Sequence, residues 1–447
     1  MDNKTSAQHI LQLLQRQPMT ARQLLDRLQI SQPTLSRRIQ QLGEQILQLG
    51  QARNAKYYAV RKTENKIKWP LYQVSAAGEP ALVGHLISLY SNYYCFQDAA
   101  ADFVLYDDLP WFIQDIKPRG FIGRALAKQW WQRVGLCSAD PKDWHAEDVL
   151  TALTLIPHDS VGDLLIGEQS YYSWLSQAPR EISLQDLPQQ AAQAEQGETT
   201  GSSAAGEQPK FLCTIDETHY LVKFSAAVNN AVSQRWADLL KAEALALKML
   251  AQLNIAAADT RIYQSDSRVF LLSKRFDRQG LFGRYGVASL EAIDAEFVGQ
   301  AGLPWPAIAQ QMHAQALLPE LDLAKIKLLW CFCLLIGNTD THNGNLSFFY
   351  DAIFDLKAAP RFRLTPAYDV LPMAFAPTRA GTMLQQGYTP QLRPEVEGKY
   401  WRQAYPVALQ YWQQINSNTQ FSTDFRRLAS ESRQQLMQLQ QSINRML

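Results

Sequence analysis

The stretch Leu321-Asp-Leu-Ala-Lys-Ile-Lys-Leu-Leu-Trp-Cys-Phe-Cys-Leu-Leu-Ile336, continued by Gly337-Asn-Thr-Asp-Thr-His-Asn-Gly-Asn345, decides the reading of this chain. Its first part is an apolar helix, and its second is a polar loop opened by glycine and carrying D-x-x-x-x-N as Asp340 and Asn345. That spacing is the one at which a kinase catalytic loop sets an aspartate on the substrate hydroxyl and an asparagine on magnesium. Strands are predicted at Leu346–Tyr350 and Arg361–Thr365, and a lone acid, Asp369, follows in Thr365-Pro-Ala-Tyr-Asp-Val-Leu371. An acid in that position suits Mg²⁺ bridging the β- and γ-phosphates of ATP. Other readings of the loop fail on spacing. An EF-hand begun at Asn338 needs Gly at 343 and Glu at 349, where Asn343 and Phe349 stand. His342 has no zinc partners at ligand spacing, so a loop-ordering hydrogen bond is its expected role. No Walker A loop, G-x-S-x-G elbow or G-x-G-x-x-G is present, and the missing glycine loop departs from the general kinase pattern.

Upstream, Lys210–Ile215 and His219–Phe224 read as two strands around the turn Asp216–Thr218. Lys223 lies in the apolar end of the second strand (YLVKF), where an unpaired ammonium is costly, so it is expected to have an anionic partner. In the helix that follows, Trp236, Leu239, Leu240, Leu247 and Leu250 put Glu243 on the buried stripe. Strand lysine with inward helix glutamate is the pair that holds ATP phosphates in kinases. By itself the pair reads more readily as a structural ion pair.

Taken in order, Ser203-Ala-Ala-Gly-Glu-Gln-Pro-Lys210, the Lys223 strand, Ser273-Lys-Arg-Phe-Asp-Arg278, Asn338-x-Asp340-x-His342-x-x-Asn345 and Pro366-Ala-Tyr-Asp-Val-Leu371 resemble the HipA family of toxin kinases. The resemblance runs from about residue 155 to the C-terminus. It implies Asp340 as catalytic base, and Asn345 and Asp369 as magnesium ligands. It further implies an ATP site of Lys223, Glu243, Lys274, Arg275, Phe276, Asp277, His342 and Asn345, with Lys274–Asp277 near the adenine. Ser203 matches the serine that family members autophosphorylate. The family's substrates are aminoacyl-tRNA synthetases, and its usual member is neutralised by a separate DNA-binding antitoxin.

Residues 1–61 hold nine Lys/Arg against three Asp/Glu, a net +6 in a chain of formal charge +1. Only this segment has the balance of a polyanion binder. It is predicted to be three helices and a hairpin, with Thr20 and Ser31 as N-caps, Pro33 in a first turn, and Ile46–Leu49 and Lys56–Val60 as a wing. Gln32, Thr34, Ser36, Arg37 and Arg38, on a third helix whose Leu35, Ile39 and Leu42 point inward, and Arg53 and Lys56, on the wing, are the candidate DNA-binding residues. A small helical interaction module is the competing reading.

At 447 residues with 47% hydrophobic and 19% charged composition, the chain fits two or three globular domains. No apolar run reaches membrane-spanning length and Met1–Gln17 lacks a signal-peptide block, so a cytoplasmic protein without a membrane partner is expected, nucleoid-associated when on DNA. Five cysteines, one pair as C-x-C in an apolar run, read as reduced core residues. The layout expected is a winged helix-turn-helix domain at 1–61, an accessory mixed α/β segment at 62–183, and a flexible linker or phosphate-covering loop at 184–209. An N-lobe core at 210–277 and a helical C-lobe at 278–447 follow. In the accessory segment, Trp111–Arg124 and Pro157–Gly167 read as loops and strands. The fold class is thus α+β, a two-lobed kinase-like fold of HipA type behind a winged helix. The expected activity is transfer of a phosphoryl group from ATP·Mg²⁺ to a protein hydroxyl. A transcriptional regulator whose kinase-like half only senses nucleotide, and a small-molecule kinase, stay open.

Overall fold

The computed structural model describes residues 6–50, 54–62, 68–156, 159–176, 178–179, 181–196, 208–265, 267–351, 353–378 and 380–446. The N-terminal unit runs α1 (Ala7–Arg16), β1 (Met19–Thr20), α2 (Ala21–Leu28), α3 (Gln32–Leu42), β2 (Ile46–Leu49) and β3 (Lys56–Ala59), with the strands ordered β1-β3-β2. Thr20 and Gln23 form a reciprocal capping box on α2, and Ser31 caps α3. Gln29 at φ 52 ends α2 in the left-handed region, which lets α3 start three residues later at a new angle. Ile10, Leu14, Leu24, Leu35 and Leu42 close a small core. The wing strands are not free. Tyr58 and Val60 pack with Ile87, Leu89 and Cys95 of the next unit, and Arg61 pairs with Glu147.

That next unit, read from sequence only as mixed α/β, is an antiparallel sheet of β4 (Lys68–Val74), β5 (Pro80–Ser88), β6 (Tyr94–Asp98), β7 (Phe103–Tyr106) and β8 (Leu164–Ile166), ordered β7-β6-β5-β4-β8. Between β7 and β8 lie α4 (Trp111–Ile116), α5 (Gly120–Trp130) and α6 (Ala146–Leu155), and α7 (Gly167–Ser176) follows β8. Trp111–Arg124 therefore holds α4, a short loop at Lys117–Arg119 and the start of α5, with no strand. Its aromatic and β-branched content suggested strand, but Trp111, Phe112 and Ile113 are buried together in a helical turn. Burial of those side chains overrides local propensity.

The stretch expected as linker also has structure. Leu184–Asp186 forms a 3₁₀ turn held by Ser183 and Asp186, and α8 (Leu187–Gln196) buries Leu187 and Ala191. The Gln/Ala-rich composition hid an apolar stripe at Leu184, Leu187, Ala191 and Ala194, spaced as one helix face.

α8 covers one face of a sheet built from β9 (Lys210–Ile215), β10 (Thr218–Phe224), β11 (Thr260–Ser265) and β12 (Arg268–Lys274), in the order β11-β12-β10-β9. The turn between β9 and β10 places Asp216 and Glu217 at φ 49 and 58, a tight hairpin of the primed kind. Helix α9 (Ala231–Met249) covers the opposite face, packing Ala237 and Leu240 on Val269 and Leu271.

Beyond this lobe come the short pair β13 (Arg278–Gln279) and β14 (Gly283–Arg284), then β15 (Val287–Ser289), α10 (Leu290–Ile293), α11 (Trp305–Ala314) and α12 (Glu320–Leu335). Strands β16 (Ser347–Asp351) and β17 (Arg361–Leu364) complete a sheet ordered β15-β16-β17. Helix α12 packs against α11 and α13 (Gly398–Ser417), and α14 (Thr423–Gln438) and α15 (Gln440–Arg445) pack on α13; Trp330, Cys331, Phe332, Cys333 and Leu335 of α12 are all buried. All five cysteines are free, but Cys137 is exposed and Cys213 half-buried, so only Cys95, Cys331 and Cys333 are core residues. Among the described residues no helix is long and apolar enough to cross a membrane.

Candidate active site

Three residues far apart in sequence meet on one ammonium. Lys223, near the end of β10, donates from Nζ to Glu243 Oε1 at 2.7 Å and Oε2 at 2.9 Å, and also to Asp369 Oδ1. Pairing with β12 on one side and β9 on the other fixes the backbone of Lys223, and the helical stripe aims Glu243 inward from α9. Asp369 arrives from the segment after β17 with φ 53, a left-handed conformation that turns its carboxylate back toward the sheet. The side chains of Lys223 and Glu243 are 5% and 2% exposed, that of Asp369 26%. Burial alone would push the Lys223 pKa down, but Asp369 and Glu243 outweigh it and hold it above the ordinary lysine value. Two carboxylates share this one charge unequally. Burial pushes Glu243 up, whereas Asp369, which burial would also push up, is held low by Lys223 and, more weakly, Lys210.

The loop after α12 stands beside this triad. Gly337, at φ 78, breaks the helix. Asn338 is buried, accepts from the Asp340 amide at 3.1 Å and donates to the Asp369 carbonyl at 3.3 Å, so one side chain ties the two acidic segments together. Asn345 Nδ2 donates to the Asp340 carbonyl at 2.9 Å and lies 3.4 Å from its Oδ2. His342 Nδ1 accepts from the Gly344 amide at 3.1 Å, the loop-ordering bond expected of it. The Asp340 carboxylate stays 48% exposed, with His342 Nε2 3.8 Å away. Tyr368 donates to the Gly344 carbonyl at 3.1 Å, and its ring lies 5.7 Å from that of Phe276. A carboxylate facing solvent beside a fixed amide, next to a buried ammonium with an adjoining partly exposed carboxylate, can take up a proton and hold polyanion and cation together.

The Lys274–Asp277 segment divides. Lys274 is exposed and Phe276 sits against Tyr368, but Arg275 and Asp277 are not brought to the triad. Arg275 donates to Asp277 at 3.0 and 2.7 Å and pairs with Asp159, and Arg278 donates to Asp277 at 2.7 Å and Asp159 at 2.6 Å. The charges of Arg275 and Asp277 pair with each other and with Asp159 and Arg278 in a buried network that joins the end of β12 to the loop before β8. Ser203 lies outside the described residues.

On the N-terminal unit, Gln32, Ser36, Arg37 and Lys56 are exposed. Thr34 is half-buried and bonded to Ser31 at 2.9 Å, and Arg38 donates to Gln41 at 3.0 Å. Arg53 lies outside the described residues.

Asn338, present in the motif, had no role assigned to it, and Asp159 of the neighbouring network was not singled out. Asn338 had a signal in its place two residues before an aspartate, where its side chain can bond the backbone ahead. Asp159 had none, because its partners stand 116 and 119 residues away.

With this geometry in place, known proteins can be set beside it. Residues 202–443 match the family described as HipA-like C-terminal domain, residues 65–175 the YjjJ-like toxin middle domain, and residues 8–45 the bacterial regulatory protein, arsR family. Toxin YjjJ of Escherichia coli (strain K12) is 35% identical over 97% of this chain and 98% of its own length. A solved chain from the Shewanella oneidensis MR-1 toxin–antitoxin complex of HipA, HipB and operator DNA superposes with a TM-score of 0.51 at 13% identity, covering 83% of this chain and 96% of that one. At that identity the likeness shows a shared fold.

Proposed function

The chain belongs to the HipA-like toxin family, and from that premise we propose that it is an ATP- and Mg²⁺-dependent serine/threonine protein kinase that inhibits growth and binds DNA through residues 1–61. The observation that carries this reading is the convergence of Lys223, Glu243 and Asp369 on one ammonium beside the Asp340–Asn345 loop.

The residues suit a magnesium ion. Two carboxylates around one ammonium leave a negative excess, and Asp369 is the one that reaches solvent. Among the described residues no three His, Cys, Asp or Glu gather as a metal cage. Mg²⁺ needs none, since nucleotide phosphates and water supply most of its oxygens. Asp369 and Asn345 would hold it, and when bound it neutralises charge on the β- and γ-phosphates.

The remaining roles belong to the chain itself. Lys223, oriented by Glu243, passes its free hydrogen-bonding capacity from Asp369 to the nucleotide phosphates. Phe276 and Tyr368 offer ring faces for the base, and the backbone of Lys274–Asp277 its edge. Asp340 accepts the proton of a serine or threonine hydroxyl as its oxygen bonds to the γ-phosphorus, the bond to the β-phosphate oxygen breaks, and ADP leaves. Asn345 restrains the Asp340 carboxylate, and His342 keeps the loop in shape. Ser203 is the proposed self-modification site. The family resemblance suggests an aminoacyl-tRNA synthetase as substrate and an antitoxin as partner, and the exposed Gln32, Ser36 and Arg37 supply groups for a major groove.

Incubation of the full chain with labelled ATP, Mg²⁺ and a cell extract tests this. Label on protein, with phosphate on Ser203 that disappears in Asp340→Asn, is expected. Label only on small molecules would replace the protein kinase by a small-molecule kinase. ATP binding without transfer would leave a nucleotide-sensing regulator.

A further inference from the structure

A cavity of about 540 Å³ lies between α7, the end of the β9–β10 hairpin and the β13–β14 pair, away from the residues proposed for phosphoryl transfer. Thr214 and His219 close its sheet end, and Arg278 and Arg284 belong to its wall. The charges behind that wall do not balance pairwise. Arg275, Arg278 and Arg284 face two carboxylates, Asp159 and Asp277. Arg275 and Arg278 take all the close contacts. Arg284 is left 3.9 Å from the nearest oxygen of Asp159, its side chain 9% exposed and its Nη1 without a hydrogen-bond partner. Asp163, the next acid within electrostatic reach, is occupied by Tyr350 at 2.6 Å and Gln73 at 2.8 Å, and burial pushes its pKa up.

A guanidinium nitrogen buried without an acceptor is a standing cost, and the asymmetry between satisfied and unsatisfied groups makes such positions informative. Burial, with Arg278 adding repulsion, pushes Arg284 down to about 9, against the usual behaviour of arginine. An anion on Arg284 would satisfy the nitrogen and offset the surplus of positive charge together. The cavity lining also supplies rings. Trp174 and Phe282 meet edge to face at 6.1 Å, and Phe282 is 42% exposed although it lines a concave site. Convergent apolar and polar groups of this kind define a small-molecule pocket.

We propose that this cavity binds a small aromatic anion, its phosphate or carboxylate on Arg284 and its ring against Trp174 and Phe282. Because α7 belongs to the middle unit and β9–β10 to the N-lobe, the bound molecule would join the two. The site is independent of the kinase reading, since none of its groups touches Lys223, Asp340 or Asp369.

The test is calorimetry on the full chain with phenyl phosphate, benzoate, inorganic phosphate and neutral phenol, followed in parallel by tryptophan fluorescence. One saturable site is expected for phenyl phosphate or benzoate, the stronger of the two naming the head group, with weaker binding of inorganic phosphate and none of phenol. Arg284→Met should weaken the aromatic anion about tenfold, the value of one charge-assisted hydrogen bond. Ser173→Trp, which fills the cavity from α7 and leaves the arginines in place, should abolish binding even if the first variant folds poorly. Failure of both aromatic anions to bind, unchanged affinity in both variants, or competitive displacement by Mg²⁺ and a non-hydrolysable ATP analogue would overturn the proposal.

Discussion

The chain contains two buried ion networks that look alike on paper and are built for opposite ends. Around Asp277, Arg275 and Arg278 make short contacts in a site where all three side chains are at most 6% exposed. Around Lys223, one ammonium serves two carboxylates and one of them, Asp369, is a quarter exposed. In the first network Arg275, Arg278, Asp159 and Asp277 pair with one another and hold the end of β12 to the loop before β8. In the second a partner can be exchanged, because a member faces the space beside Asp340 and the ammonium keeps Glu243 whatever Asp369 does. Burial of charge thus marks neither structure nor function by itself. The distinguishing feature is a charge with an alternative partner.

The sharpest way to break this contrast is to remove one carboxylate from each network. Asp277→Ala leaves two buried guanidiniums short of an acceptor and is expected to cost about 3 to 5 kcal/mol in urea unfolding, the penalty for an uncompensated buried charge. Asp369→Ala leaves Lys223 paired to Glu243, so its stability should stay within about 1 kcal/mol of the parent. Similar losses in both would erase the distinction.

Acid sharpens it next. Burial would raise the Asp277 carboxyl, but Arg275 and Arg278 outweigh it and hold it at about 2, below its ordinary 3.8. A group depressed on folding stabilises above its unfolded pKa and loses that contribution as pH falls toward the folded one. Of the order of 2 kcal/mol should therefore disappear between about pH 4 and pH 2. Thermal melts over that range should fall more steeply for the parent than for Asp277→Asn, and equal slopes would show that the network carries no depressed acid.

A smaller effect concerns the N-terminal unit, where Arg37 faces water. Arg37→Ala should weaken DNA binding by about 1 to 3 kcal/mol where the side chain reads a base, or flatten the salt dependence where it meets a phosphate. A titration in which neither affinity nor salt slope changes would remove Arg37 from the interface.

What could be read from sequence divides along the same line. The Lys223 network was legible because a lysine in YLVKF demands an anion and Glu243 falls on a countable helical stripe. The Asp340 loop was legible because its residues lie within nine positions. The Thr20 and Ser31 caps were legible because capping is local. The Asp159–Arg275–Arg278 network was not, since its pairings span more than a hundred residues and no spacing rule reaches that far. α8 was hidden by composition, its stripe of Leu187 and Ala191 diluted by glutamine, and α4 by aromatic residues that favour strands until tertiary burial decides.

In the proposed mechanism Asp369 and Asp340, joined through Asn338, divide the work of phosphoryl transfer. The most direct test measures Mg·ATP affinity and phosphoryl transfer separately in Asp369→Ala and Asp340→Asn. The account predicts weakened nucleotide binding in the first, and in the second near-parental binding with transfer reduced by about 10²- to 10⁴-fold, the range for loss of a general base. Equal loss of ATP affinity in both variants, or undiminished transfer in Asp340→Asn, would contradict it.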